Sequence, residues 1–225
     1  MSRAYEAVFF DMDGTFVNTE PHWLAAETEL MAEFGHAWTI DDQRFCLGGP
    51  LSKVGKYMWE LAQHEHSPEW FHHELVARTI QHFSQRIEFM PGAHELFLAL
   101  KAEGVPVALV TASPASLMNA TLAVMDPPFF DVVISGDDVK VTKPDPEAYL
   151  LAAERLGVDI TKSVVLEDSL TGIASAHAAG AHVFAIPHMV EVKEVPRQNI
   201  LSTLSNMTPE DLERIYLDQN VESIN

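Results

Sequence analysis

A chain of 225 residues, 47% hydrophobic and 21% charged, can bury one large core or a core with an insert. Its formal net charge of −19 is spread along the chain, a field that repels phosphate backbones and excludes nucleic acid as an expected partner. The single cysteine, Cys46, permits no intrachain disulfide, fits a reducing compartment and reads as a small buried hydrophobe. MSRAYEAVFF lacks the apolar region of a signal peptide, and no apolar run approaches the roughly 18 residues of a membrane span. A cytoplasmic protein without membrane contact is expected, and a monomer, since nothing demands an interface.

Ala7 to Asp11 reads as a strand, apolar without alternation, as when both faces are covered. Glu20 to Phe34 reads as a helix, with Pro21 near its start and Gly35 just past its end. Leu51, Val54, Met58 and Leu61 repeat at helical spacing. So do Val76, Ile80, Phe83 and Ile87, in a helix opened by Ser67 as N-cap and Pro68. Residues 16–89 are thus expected to be a helical block without a strand. Beyond Met90, Ala93, Leu96, Phe97 and Leu100 line a helix closed by Gly104. Strands follow at 105–111, 131–135, 163–168 and 181–187. Helices separate them near 115–125, at 145–157 with Asp145 as N-cap and Pro146 at N1, and at 172–180. Residues 187–197 read as loop, Pro209 to Leu217 as a short helix, and the last five residues as frayed. The alternation predicts an α/β fold, a Rossmann-like parallel sheet flanked by helices. The expected division is a discontinuous core of 1–15 and 90–225 with an all-α insert at 16–89.

The unusual polar residues fall at one end of this sheet. Asp11 and Asp13 follow the first strand, Thr111 ends the second, Lys143 follows the third, and Glu167 and Asp168 end the fourth. In open α/β sheets that end binds ligands. Several carboxylates around one point repel one another, and a hard divalent cation such as Mg²⁺ resolves the conflict. Lys143, the Thr111 hydroxyl and backbone N–H groups after Asp11 would cradle a phosphate. Such a set suits acyl-phosphate chemistry: one carboxylate attacks phosphorus while a second exchanges protons with the leaving group.

DMDGT, LVTAS, KPDP and LEDS, in that order on these elements, resemble the four motifs of the haloacid dehalogenase superfamily of phosphohydrolases. The helical insert resembles the α-helical cap of the β-phosphoglucomutase-like branch, with Asn18 where Asp is usual. The resemblance spans about residues 7–187. It implies Asp11 as nucleophile and Mg²⁺ ligand, and Asp13 as general acid and base, with its carbonyl on the metal. It implies Asp168 as a metal ligand, assisted by Glu167 directly or through water. Thr111, Ala112 and Lys143 would bind the phosphoryl group. The superfamily's dehalogenases lack the second aspartate, so Asp13 favours phosphate chemistry.

A phosphatase acting on a small phosphorylated metabolite, in class a sugar phosphate, is the expected activity. A phosphosugar mutase is the alternative, and a catalytically silent binding protein the non-enzymatic one. In mutases of this branch a His follows the first motif and an Arg sits in a cap loop. Here Trp23 and Leu51 fall at or near those positions, with Lys53 and Lys56 close by. A signalling receiver domain would share strand-end acids, Thr and Lys but is much shorter and lacks the insert.

Asp137 and Asp138 read as a turn. His64, His66, His72 and His73 read as surface histidines rather than a metal site. Trp23, on the first turn of the insert's first helix, is the aromatic expected to face substrate. Residues 16–19 and 88–92 are expected hinges, with Gly92 affecting turnover more than stability.

Overall fold

The computed structural model describes residues 3–46, 50–83, 87–125, 130–187 and 191–222. In chain order it runs β1 (Val8–Phe10), β2 (Val17–Asn18), α1 (Glu20–Glu33), α2 (Ile40–Cys46), α3 (Leu51–Leu61), α4 (Pro68–Phe83) and β3 (Glu88–Phe89). There follow α5 (Ala93–Ala102), β4 (Val107–Val110), α6 (Ala115–Ala123), β5 (Val132–Ile134) and α7 (Glu147–Leu156). The chain closes with β6 (Val164–Glu167), α8 (Leu170–Ala179), β7 (His182–Ala185), β8 (Gln198–Ile200) and α9 (Pro209–Glu222).

Two units emerge: Met1–Asn18, Glu88–Pro114 and Asp126–Asn225 form the first, and Thr19–Ile87 with Ala115–Met125 the second. In the first, six parallel strands lie in the order β5-β4-β1-β6-β7-β8. Counted along the sheet this is the doubly wound order 3-2-1-4-5-6, whose direction reverses between β1 and β6. Val8, Phe9 and Phe10 of β1 are fully buried. Phe9 meets Tyr149 of α7 edge-on at 6.4 Å, and Phe10 meets Phe97 of α5 at 6.4 Å. Adjacent strand residues point to opposite faces, so both faces of β1 are covered and its run is apolar throughout. In the second unit Leu30, Met31, Met58, Phe71 and Leu75 form the core, with Trp23, Trp38 and Trp70 against it.

Several expectations are corrected. The segment 16–89 is not strand-free at its ends: β2 and β3 pair antiparallel, Val17 opposite Phe89. Two residues each are too short to carry a period. The sheet does not end at 187 but gains β8. That strand reads QNI because its side chains fasten to neighbours, Gln198 to His177 and Asn199 to His182. Helix α2 was not anticipated, although Thr39 and Asp42 exchange the hydrogen bonds of a cap. Helix α7 starts at Glu147 with Pro146 at its N-cap, and Asp145 Oδ1 accepts the Glu147 N–H. Helix α9 outruns Leu217, and Arg3 ties it down through Glu210 and Glu213 while also reaching Glu103. Gly92 has φ +82°, and a Cβ there would collide with the Leu204 carbonyl. Substituting it damages packing, so it is no pure hinge. Residues 47–49, in the loop before Leu51, and 223–225 lie outside the described residues.

Glu27 on α1 is 6% exposed, and burial, helped by the charge of Glu20, pushes its pKa up to about 8. Its contribution to stability is whole below its ordinary value of 4.5 and is lost as pH rises towards 8. Glu27→Gln should therefore gain stability over the native chain as pH rises from about 5 to about 8, by the order of 2 kcal/mol, read as a widening Tm difference. A Tm difference that does not change with pH would refute this.

Candidate active site

Asp11 continues β1: its N–H donates to Leu166 O at 3.0 Å, which sets the carboxylate at the C-terminal edge of the sheet. The chain then turns back, with Phe16 and Val17 N–H groups on Met12 O. Gly14 permits the turn at φ +83°, and a Cβ there would strike the Asp168 carboxylate. The two acids and the glycine are therefore both a turn and a wall of the site. On the other side of the switch point, β6 ends in Glu167, and Ser169 caps α8 by accepting the Gly172 N–H at 3.0 Å.

Lys143 lies between these strands, its side chain 3% exposed. Its Nζ donates to Asp11 Oδ1 at 2.6 Å, Glu167 Oε1 at 2.7 Å and Val110 O at 2.9 Å, and Tyr149 Oη stands at 3.1 Å. Glu167 is fully buried and takes five donors: Lys143 and Tyr149 on Oε1, and the Asp168 N–H, Ser169 N–H and Ser169 hydroxyl on Oε2. Thr15 Oγ1 donates to Asp168 at 3.2 Å.

Asp11, Glu167 and Asp168 each place a carboxylate oxygen within 4.8 Å of the others. Burial and the charge of Glu167 push Asp11 well above the ordinary carboxylate range, and the same causes take Asp168 to about 8. Burial alone would lower Lys143, but the charges of Asp11 and Glu167 outweigh it and hold the ammonium firmly protonated. Three clustered carboxylates, two buried and the Asp168 one half-buried, against one ammonium leave excess negative charge where it is costly. An all-oxygen donor set with that excess fits a hard divalent cation.

Asp13 stands in a second group. Its Oδ2 accepts from Thr111 Oγ1 at 3.2 Å and Ser113 Oγ at 2.9 Å, and the Ser113 N–H donates to Thr111 Oγ1 at 3.0 Å. Ala112 is exposed between the two buried hydroxyl residues. The fold thus gathers Asp11, Lys143, Glu167 and Asp168 at one point and joins Asp13 to Thr111. Trp23 belongs to the helical unit, half-buried against that unit's core. Asp138 accepts from Ser135 N–H and Oγ and pairs with Arg155, which matches the turn reading. His64 and His66 lie against Trp59 and Trp70, and among the described residues no candidate metal group includes a histidine.

Sequence reasoning missed Ser113 and Tyr149. Ser113 could have been found, because it stands two residues after Thr111 in the same loop. Tyr149 gave no signal, since it occupies an ordinary apolar position of a helix.

The family model for haloacid dehalogenase-like hydrolases matches residues 8–186. Over 185 residues the chain is 35% identical to a phosphorylated carbohydrates phosphatase of Thermotoga maritima, covering 81% of this chain and 86% of that protein. Over 222 residues it is 31% identical to hexitol phosphatase B of Escherichia coli K12, covering 93% and 97%. The crystal structure of CbbY from Rhodobacter sphaeroides in complex with phosphate is similar with a TM-score of 0.78 and 25% identity, over 93% of this chain and 99% of that one. The chain belongs to the haloacid dehalogenase-like hydrolases.

Proposed function

We propose that the chain is a Mg²⁺-dependent, cytoplasmic phosphatase of small phosphorylated carbohydrates that works through an aspartyl phosphate on Asp11. The observation that carries this reading is the division of labour between two acids two residues apart. Asp11 is locked by Lys143 inside the carboxylate cluster, while Asp13 is held apart by the hydroxyls of Thr111 and Ser113. The relatives named above, which act on phosphorylated carbohydrates and hexitol phosphates, supply the substrate class.

In the first step an Asp11 oxygen bonds to phosphorus as the bond to the ester oxygen breaks, and Asp13 gives that oxygen its proton. In the second, Asp13 takes a proton from water, whose oxygen bonds to phosphorus and releases Asp11 and phosphate. Lys143 keeps Asp11 aligned, offsets its charge and donates a hydrogen bond to a phosphoryl oxygen. Thr111 and Ser113 would turn a hydroxyl proton from Asp13 to the phosphoryl oxygens, and Ala112, exposed between them, would add its N–H. Mg²⁺, held by Asp11, Asp168 and the Asp13 carbonyl, would neutralise the carboxylates and the phosphoryl charge. Residues 16–89 would serve as the helical cap, with Trp23 as its substrate-contacting aromatic.

A mutase needs a second anion site in that cap. Arg44 is paired with Asp41, Arg78 with Glu33 and Glu74, and Lys53 donates to Phe45 O and sits over the Phe45 ring. Among the described residues of that segment Lys56 is left exposed, and one surface lysine is a poor second anion site, which favours the phosphatase.

Phosphate release from a panel of sugar and hexitol phosphates should require Mg²⁺, stop with chelator and vanish in Asp11→Asn. Sugar phosphate interconversion outpacing phosphate release would overturn the phosphatase reading. Gly172 gives a second test, because a Cβ there would collide with the Glu167 carboxylate. Helix propensity alone would make Gly172→Ala stabilising by about 1 kcal/mol. The displaced Glu167 should instead cost about tenfold or more in kcat. A variant both more stable and fully active would show that Glu167 has room to move.

A further inference from the structure

Lys143 has three N–H bonds and four oxygen neighbours. The three shortest contacts, to Asp11, Glu167 and Val110 O, use every proton. The 3.1 Å contact to Tyr149 Oη is left over, and the phenol proton goes to Glu167 Oε1 at 3.0 Å. On the proposed function, on which this inference rests, a phosphoryl oxygen must also receive a proton from Lys143. One existing bond then has to be released.

The alternatives are unequal. Leaving Asp11 would misalign the nucleophile. Leaving Val110 O would strip a buried main-chain carbonyl of a donor, and such a group is costly when unpaired. Glu167 Oε1 can give up the ammonium because the Tyr149 hydroxyl remains on it, and its other oxygen keeps three donors. We infer that the Tyr149 hydroxyl is a positioning group for catalysis: by holding Glu167 it frees one ammonium proton of Lys143 for the phosphoryl group.

The placement is well supported by packing. Tyr149 is fully buried on α7, with its ring edge-on to Phe9 and beneath the Lys143 ammonium at 4.8 Å. A phenylalanine keeps that ring and loses only the hydroxyl. Without it, Glu167 would depend on Lys143 and would hold the ammonium back from the incoming phosphoryl oxygen.

The test compares the native chain, Tyr149→Phe and Tyr149→Leu with Mg²⁺ present. Two quantities are measured: the affinity for inorganic phosphate by calorimetry, and kcat and KM on a substrate from the panel. Tyr149→Phe should bind inorganic phosphate about tenfold more weakly and raise KM by a similar factor, with Tm close to native. Tyr149→Leu should be no better a binder than Tyr149→Phe. Native phosphate affinity and KM in Tyr149→Phe, with loss only in Tyr149→Leu, would make the residue a packing block and overturn the inference. Unfolding of Tyr149→Phe would likewise make the hydroxyl a structural bond. Failure of this inference leaves the Asp11-dependent hydrolysis intact. Failure of the proposed function appears instead as no hydrolysis by the native chain.

Discussion

The ammonium of Lys143, buried between Asp11 and Glu167, is the interaction on which the site depends. Removing one member of a buried ion pair typically costs about 3–5 kcal/mol, because the other is left charged and unpaired. Here each member also holds something else. Asp11 extends β1, Glu167 secures the start of α8 through Asp168 and Ser169, and Lys143 reaches the last carbonyl of β4. The three residues join three strand ends, so the geometry of the candidate site and the local fold are the same set of bonds.

That cluster stands where it does because of strand order. The chain builds β1, then β4 and β5 on one side, then β6, β7 and β8 on the other. The connections diverge between β1 and β6, leaving a crevice beyond their C-terminal ends. Asp11 ends one of these strands, and Glu167 and Asp168 end the other. Repulsion among their carboxylates is tolerable because an ammonium lies between two of them and the donor set suits a cation.

Much of this was legible from the chain. The apolar runs of β1, β4 and β6 mark strands covered on both faces, and the polar residue at each strand end stands out against such a run. Helices with strong punctuation, such as α1 with Pro21 and Gly35, could be read within a residue or two. Where the signal rested on few residues it failed. The pairs Val17–Asn18 and Glu88–Phe89 are too short for a period, and the Gln and Asn of β8 are polar because they bond to histidines on neighbouring elements. Gly92 looked like freedom to move, yet the approach of Leu204 makes it a packing requirement.

The sequence by itself determined that Asp11, Lys143, Glu167 and Asp168 share one end of a parallel sheet, because spacing along a strand dictates where its terminal side chain emerges. Only the tertiary structure decided how they divide: Lys143 with Asp11 and Glu167, Asp13 with Thr111 and Ser113, and Tyr149 with the ammonium. Those pairings join residues as far as 132 positions apart, between Lys143 and Asp11. Distances of that kind follow from how β1, β4, β6 and α7 pack against one another, and no local pattern in the chain encodes them.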